Sequence, residues 1–329
     1  MAAALTLTAC TSHGVTEGQD PAEVEGLDRV PNASSEHLPA ADTSDVRLPT
    51  QFDQLVTVEP TWDLPVQRGG DVFLSAEETD RALVYRAVDS TGTVLWTAQR
   101  PLACAGFVVT QDSEGRNLAV LTDAETSDSS LSITTASAYD LGSGEQVWGP
   151  VEVPGPHTGP GLVFAAPPEG FMGESGESVA LDPTTGEPLG DDGRVIGEFD
   201  GTGPLLDLES GEVLGETVHD AAHDAGAGIT AFLDADGLTV RDAHGEQQLA
   251  MSVREGTTLE AVVGALVYLR DGSSVRVHNG VTGRVAQAYA QDGEGPVAVP
   301  DLVTEKGAGT LTVGGRTVLA TERADEQKG

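Results

Sequence analysis

The stretch His219-Asp-Ala-Ala-His223-Asp224 is the one metal-like cluster in the chain. On a helix, two histidines four residues apart share a face and can hold a zinc ion. The metalloprotease form places Glu after the first His as general base, and Asp220 stands there instead. No third ligand is near, and Gly226 and Gly228 follow at once, which favours a polar loop between blades. Asp234-Ala-Asp236-Gly237 resembles part of a calcium loop but lacks its spaced ligands and terminal Glu, and reads as a hairpin turn. Cys104, within Leu102-Ala-Cys104-Ala-Gly-Phe107, has neither the basic nor the helix-terminal setting of a reactive thiol and reads as a small core residue. Neither a phosphate-cradling Gly-Lys-Ser/Thr loop nor a Gly-x-Ser-x-Gly elbow occurs. The sequence therefore offers no catalytic residue and no cofactor, with His219 and His223 the weak candidates for a metal.

The elements that would carry these residues form a worn repeat. Ala138-Tyr-Asp140-Leu-Gly-Ser-Gly144-Glu-Gln-Val-Trp148 is its clearest copy. Asp140 can accept hydrogen bonds from backbone N–H groups inside its own turn, and Gly144 can take the positive φ that closes it. Other copies place Asp89 before Gly92 and Trp96, Asp182 before Gly186, Asp207 before Gly211, Asp242 before Gly245 and Asn279 before Gly283. The intervals between the six glycines centre near the roughly 40 residues of a four-stranded propeller blade. Within the intervals, alternating runs meet at hairpin turns: Ala265 to Arg270, then Asp271-Gly272, then Ser274 to His278 and Arg284 to Tyr289, with Ile229 to Leu233 and Leu238 to Arg241 joined at Asp236-Gly237.

This pattern, Ala-x-Asp-x-x-Thr/Ser-Gly-x-x-x-Trp, resembles the PQQ-like (quinoprotein-type) β-propeller repeat over about 270 residues. Ala138, Asp140, Ser143, Gly144 and Trp148 match it position for position, while Gly190 and Gly215 replace the Trp after Gly186 and Gly211. The resemblance implies an all-β propeller of six to eight four-stranded blades, with seven the expected number, and a Trp that docks on the neighbouring blade. It would also imply a quinone dehydrogenase, but such an enzyme carries a vicinal disulfide and no two cysteines are adjacent here. The strand Gln54 to Val58 is expected to pair with the last blade, as propellers commonly close.

Leu7-Thr8-Ala9-Cys10 fits a bacterial lipobox, with Cys10 as the lipidated residue. The apolar stretch before it is short and lacks a basic region, so either the tetrapeptide is chance or the true start lies upstream, the latter being the expectation. Residues 11–50 carry Glu17, Asp20, Glu23, Glu25, Asp28, Glu36, Asp42 and Asp45 against Arg29 and Arg47. So polar a segment is expected to stay disordered, as a tether. The expected organisation is a signal segment over 1–10, the tether over 11–50, the propeller over 51–323 and a disordered tail over 324–329. The expected address is the outer face of the cytoplasmic membrane, held by lipid.

The net charge of −36 excludes nucleic acid as a partner, because binding it needs Lys and Arg to displace counterions from phosphate. Of 17 basic residues only Lys306 and Lys328 are lysines, which with the abundant Ala and Gly suits a GC-rich, actinobacterial genome. The functional expectation is a monomeric, non-catalytic scaffold or binding module for an envelope protein or ligand, one with a basic patch being the best electrostatic match. The alternative is a metal-dependent extracytoplasmic enzyme, or a quinone-type dehydrogenase relative, using the propeller funnel.

Overall fold

A computed structural model describes residues 26–103, 105–126, 132–156, 161, 163–165, 180–188, 203–206, 213–224, 226–291 and 294–322. Cys10, Cys104, Asp207 and Gly211 lie outside them, as do residues 11–25 and the tail from 323. Every regular element among the described residues is a strand. The chain divides into two compact units, one of Met1–Ser35, Leu74–Ala87 and Leu95–Val195, the other of Glu36–Phe73, Val88–Val94 and Ile196–Gly329.

In chain order the strands begin with β1 (Asn32–Ala33), β2 (Val56–Val58), β3 (Gln67–Gly69), β4 (Val72–Glu78), β5 (Leu83–Asp89) and β6 (Val94–Arg100). There follow β7 (Phe107–Gln111), β8 (Asn117–Thr126), β9 (Ser132–Asp140), β10 (Gln146–Val153), β11 (Gly203–Leu206) and β12 (Val213–Val218). The series continues with β13 (Asp220–Asp224), β14 (Ile229–Asp234), β15 (Gly237–Arg241), β16 (Gln247–Met251), β17 (Thr257–Val263), β18 (Leu266–Asp271) and β19 (Ser274–Asn279). It ends with β20 (Val299–Val303), β21 (Gly309–Val313) and β22 (Arg316–Thr321).

These pair into successive antiparallel sheets. The orders are β1-β6-β5-β4-β3, β10-β9-β8-β7, β11-β12, β13-β14-β15-β16, β17-β18-β19 and β2-β22-β21-β20. Neighbours in sequence are neighbours in space because each turn is only a few residues long, so hairpins form at the lowest loop-closure cost. The last sheet also takes in β2, with Val56 opposite Thr321 and Val58 opposite Leu319, the pairing expected for Gln54 to Val58.

The repeated turn has a single construction. Asp140 Oδ1 accepts from the amides of Gly142 (3.1 Å) and Ser143 (2.7 Å) and from the Ser143 hydroxyl (2.9 Å). Asp89, Asp182, Asp242 and Asn279 each hold the amide two residues on in the same manner. Four residues past the glycine, an apolar side chain reaches the turn of the following repeat. In the first unit Trp96 donates its indole N–H to the Leu141 carbonyl at 2.8 Å, and Trp148 donates to that of Pro183 at 2.7 Å. A Cβ on Gly186, whose φ is +72°, would stand 2.6 Å from the Trp148 ring. In the second unit Leu249 takes the Trp position, and a Cβ on Gly283 would lie 3.1 Å from it. The smaller residue keeps the contact without the indole hydrogen bond.

The expectation of a disordered tether over 11–50 needs correction for residues 26–50. Asn32 pairs with Thr97 and Ala33 with Trp96 in one unit; in the other, Ala40 pairs with Val58, Arg47 with Val297 and Pro49 with Tyr289. Composition gives the segment little to bury, but the outer sheet edges offer backbone partners that composition does not register.

Candidate functional site

Within the second unit, β13, β17 and β20, each at the edge of its sheet, pack side by side and bring three carboxylates near one another: Asp220, Glu260 and Asp301. Two of them stand at breaks in the ladder. The pairing of β17 with β18 shifts between Leu259 and Ala261, at Glu260, and that of β20 with β21 shifts between Pro300 and Val303, at Asp301. A bulge breaks the alternation of a strand and re-aims a side chain, so Asp301 is exposed between Pro300 and Val303, which are both buried.

The three carboxylates differ in environment. Glu260 is paired with a guanidinium: Arg270 donates from Nε to Oε1 at 2.9 Å and from Nη2 to Oε2 at 2.8 Å, and the Thr258 hydroxyl donates at 2.8 Å. The hydrogen bonds to Glu260 raise the proton affinity of Arg270 above its ordinary value. Asp220 accepts the Leu259 amide at 2.8 Å, yet burial keeps its proton affinity above the ordinary carboxylate value. Asp301 is pushed up to about 6, by desolvation first and then by the charges of Glu260 and Asp220. It keeps accessible surface although protein atoms surround it. A carboxylate paired with an arginine beside a carboxyl that titrates near neutrality is the arrangement that separates acid from base roles.

Beside Asp220 opens a recess of about 490 Å³ lined by His219, Asp234, Asp236, Arg254 and Glu255 among others. Asp234 accepts the amides of Asp236 (2.8 Å) and Gly237 (3.0 Å), closing the hairpin between β14 and β15. Nearby in the same unit, burial, and then the charge of Arg68, depress the proton affinity of His223, whose Nδ1 lies 2.9 Å from the Thr230 hydroxyl. Arg68 is half-buried, with its own proton affinity lowered by desolvation, and donates to the Gly70 carbonyl at 2.9 Å.

The helix that a zinc site at His219 and His223 calls for is not formed. His219 precedes β13 and His223 lies within it. Four residues along a strand span roughly 13 Å, whereas on a helix they would be one turn apart. Among the described residues no three His, Cys, Asp or Glu side chains converge as a metal set. The acidic trio went unread in the sequence because its members lie about 40 residues apart. The available signal was a lone carboxylate inside an apolar strand, as in Leu259-Glu260-Ala261-Val262 and Val299-Pro300-Asp301-Leu302.

No protein-family model matches the chain, and no curated protein matches it. Among solved structures it is similar to a gluconolactonase from Xanthomonas campestris, at 12% identity and a TM-score of 0.32, covering 91% of this chain and 97% of that one. The similar protein is an enzyme, whereas the sequence led to the expectation of a non-catalytic scaffold. At that TM-score the likeness carries no activity over to this chain, whose chemistry rests on its own residues.

Proposed function

We propose that this chain is a propeller enzyme that performs general acid–base chemistry at Asp301, with Glu260 and Asp220 as its electrostatic partners. The single observation that carries the reading is the placing of Glu260 and Asp301 at bulges in neighbouring strands of consecutive sheets, with unlike environments. Asp301 exchanges the proton, and desolvation, with the charges of Glu260 and Asp220 added to it, keeps that proton available near neutral pH. Asp220 faces the same crowd of charge and orients a water or a substrate hydroxyl. Three carboxylates repel anions, so the reading specifies a neutral or cationic small molecule, and hydrolysis is the reaction that needs only water beside these groups.

Support for a propeller of PQQ-like type comes from the contacts of Trp96 on the Leu141 turn and Trp148 on the Gly186 turn, and seven blades is proposed from the sequence repeat alone. The cellular address is proposed on the lipobox at Cys10. A palmitate analogue is expected to label wild-type cells and miss the C10S variant, and equal labelling would reject it. The test of the activity is a panel of chromogenic esters, lactones and glycosides, neutral and cationic, assayed from pH 4 to 9. Turnover with a limb near pH 6 that D301N abolishes is expected. Turnover that survives in D301N removes the proposal.

A further inference from the structure

The segment before Glu36 holds to the first unit in an uneven way. Its backbone pairs with the outer edge of β6: the Gln99 amide donates to the Asp28 carbonyl at 2.7 Å, and the Ser34 amide donates to that of Leu95 at 2.8 Å. Its side chains bury little, for Asn32 and Ala33 are both exposed and Val30 is 62% exposed. A strand without an apolar face contributes few of the contacts that make opening costly.

What anchors it is ionic and lies at one end. Arg29 Nη1 stands 2.6 Å from Asp123 Oδ1, on β8, and reaches the Ala124 carbonyl at 3.4 Å. Under it lies Arg100, 2% exposed, whose Nε is 3.4 Å from the other oxygen of Asp123. Arg100 Nη1 donates to the Arg29 carbonyl and to that of Gln99, and Nη2 approaches the Tyr139 hydroxyl at 3.4 Å. The Tyr85 hydroxyl, also buried here, has no hydrogen-bond partner among the described residues. A buried guanidinium requires acceptors. Arg100 obtains one from the backbone of the segment itself, which ties the segment to the core by a charge rather than by packing.

We propose that Asp28 to Ser34 is a releasable clasp on the β6 edge, with Arg29, Asp123 and Arg100 as its catch. Closed, it occupies an edge that would otherwise present unpaired N–H and C=O groups. Open, it leaves β6 from Leu95 to Gln99 as a strand on which an extended peptide can pair by the same hydrogen bonds. A peptide with a basic residue at the place of Arg29 is the ligand that this edge, with Asp123 beside it, is built to take. The proposal is independent of the chemistry at Asp301.

Amide hydrogen exchange in the intact protein tests it. The amides of Ser34 and Gln99 report the clasp; those of Asp140, bonded to the Glu145 carbonyl, and Leu141, bonded to that of Asn117, report the adjoining sheet. In R29Q, which keeps Asp123 to serve Arg100, Ser34 and Gln99 are expected to exchange about tenfold faster or more, with Asp140 and Leu141 unchanged. D123N is expected to do the same more strongly; if it loosens the whole unit, the R29Q result decides. Unchanged rates at Ser34 and Gln99 in R29Q, or equal acceleration of all four amides, would overturn the clasp.

Discussion

Asp301→Asn is the substitution whose effect on stability follows most closely from the geometry. The carboxyl at position 301 binds its proton with an affinity displaced from the ordinary 3.8 to about 6. The displacement corresponds to about 3 kcal/mol favouring the neutral form. Because Asp301 has accessible surface, solvent screening reduces that to about 1 kcal/mol. The sign is fixed by linkage: between pH 4 and 6 the folded chain holds a proton that the unfolded chain has released. Stability is therefore lost as pH rises through that window, and the ionised carboxylate is a cost at pH 7.5. Asparagine is neutral at every pH. D301N is expected to be more stable than wild type by about 1 kcal/mol at pH 7.5 and equal to it at pH 3.5, by urea unfolding at both values. A destabilised D301N at pH 7.5, or the same difference at both pH values, would refute the reasoning.

The remaining predictions concern other parts of the molecule. Trp148→Ala removes a ring packed on Gly186 and a hydrogen bond to Pro183, and should cost about 3–5 kcal/mol in chemical denaturation. Gly186→Ala places a Cβ 2.6 Å from that ring at φ +72° and should cost about 1–3 kcal/mol by the same assay. His219→Ala should leave the zinc content of purified protein unchanged, since His219 and His223 do not share a helix face. The depressed proton affinity of His223 makes its neutral form the favoured one in the fold. Its contribution to stability is present above pH 6.5 and falls away below, so the acid limb of thermal unfolding should flatten in His223→Asn.

The turns were the legible part of this sequence, for a local reason. Asp140 and Gly144 lie within one hairpin, so residue type and spacing alone dictate an Asx turn and a positive φ. Strands with strict alternation, such as Ser274–Asn279 after the Asp271-Gly272 turn, were legible in the same way. What the sequence concealed is what depends on distant partners. Residues 26–50 look unstructured by composition, and the partners of Arg47 and Pro49 near Val297 and Tyr289 are about 240 residues away. The stretch from His219 to Asp224 read as a polar loop, with a helix face the lesser alternative, but Ala221 pairs with Phe232 and Ala222 with Ala231 in a strand. Glu260 and Asp301 acquire their character from bulges and from Arg270, none of which a linear reading encodes.

The central claim, that Asp301 is a proton-exchanging group tuned by Glu260, is tested most directly by carbon-13 NMR titration of the Asp301 carboxyl in the intact protein. The account predicts a midpoint near 6 in wild type, lowered only part of the way toward the ordinary value when Glu260 is replaced by Gln, because desolvation and the charge of Asp220 remain. A midpoint near 4 in wild type, or one near 6 that E260Q leaves in place, would contradict it.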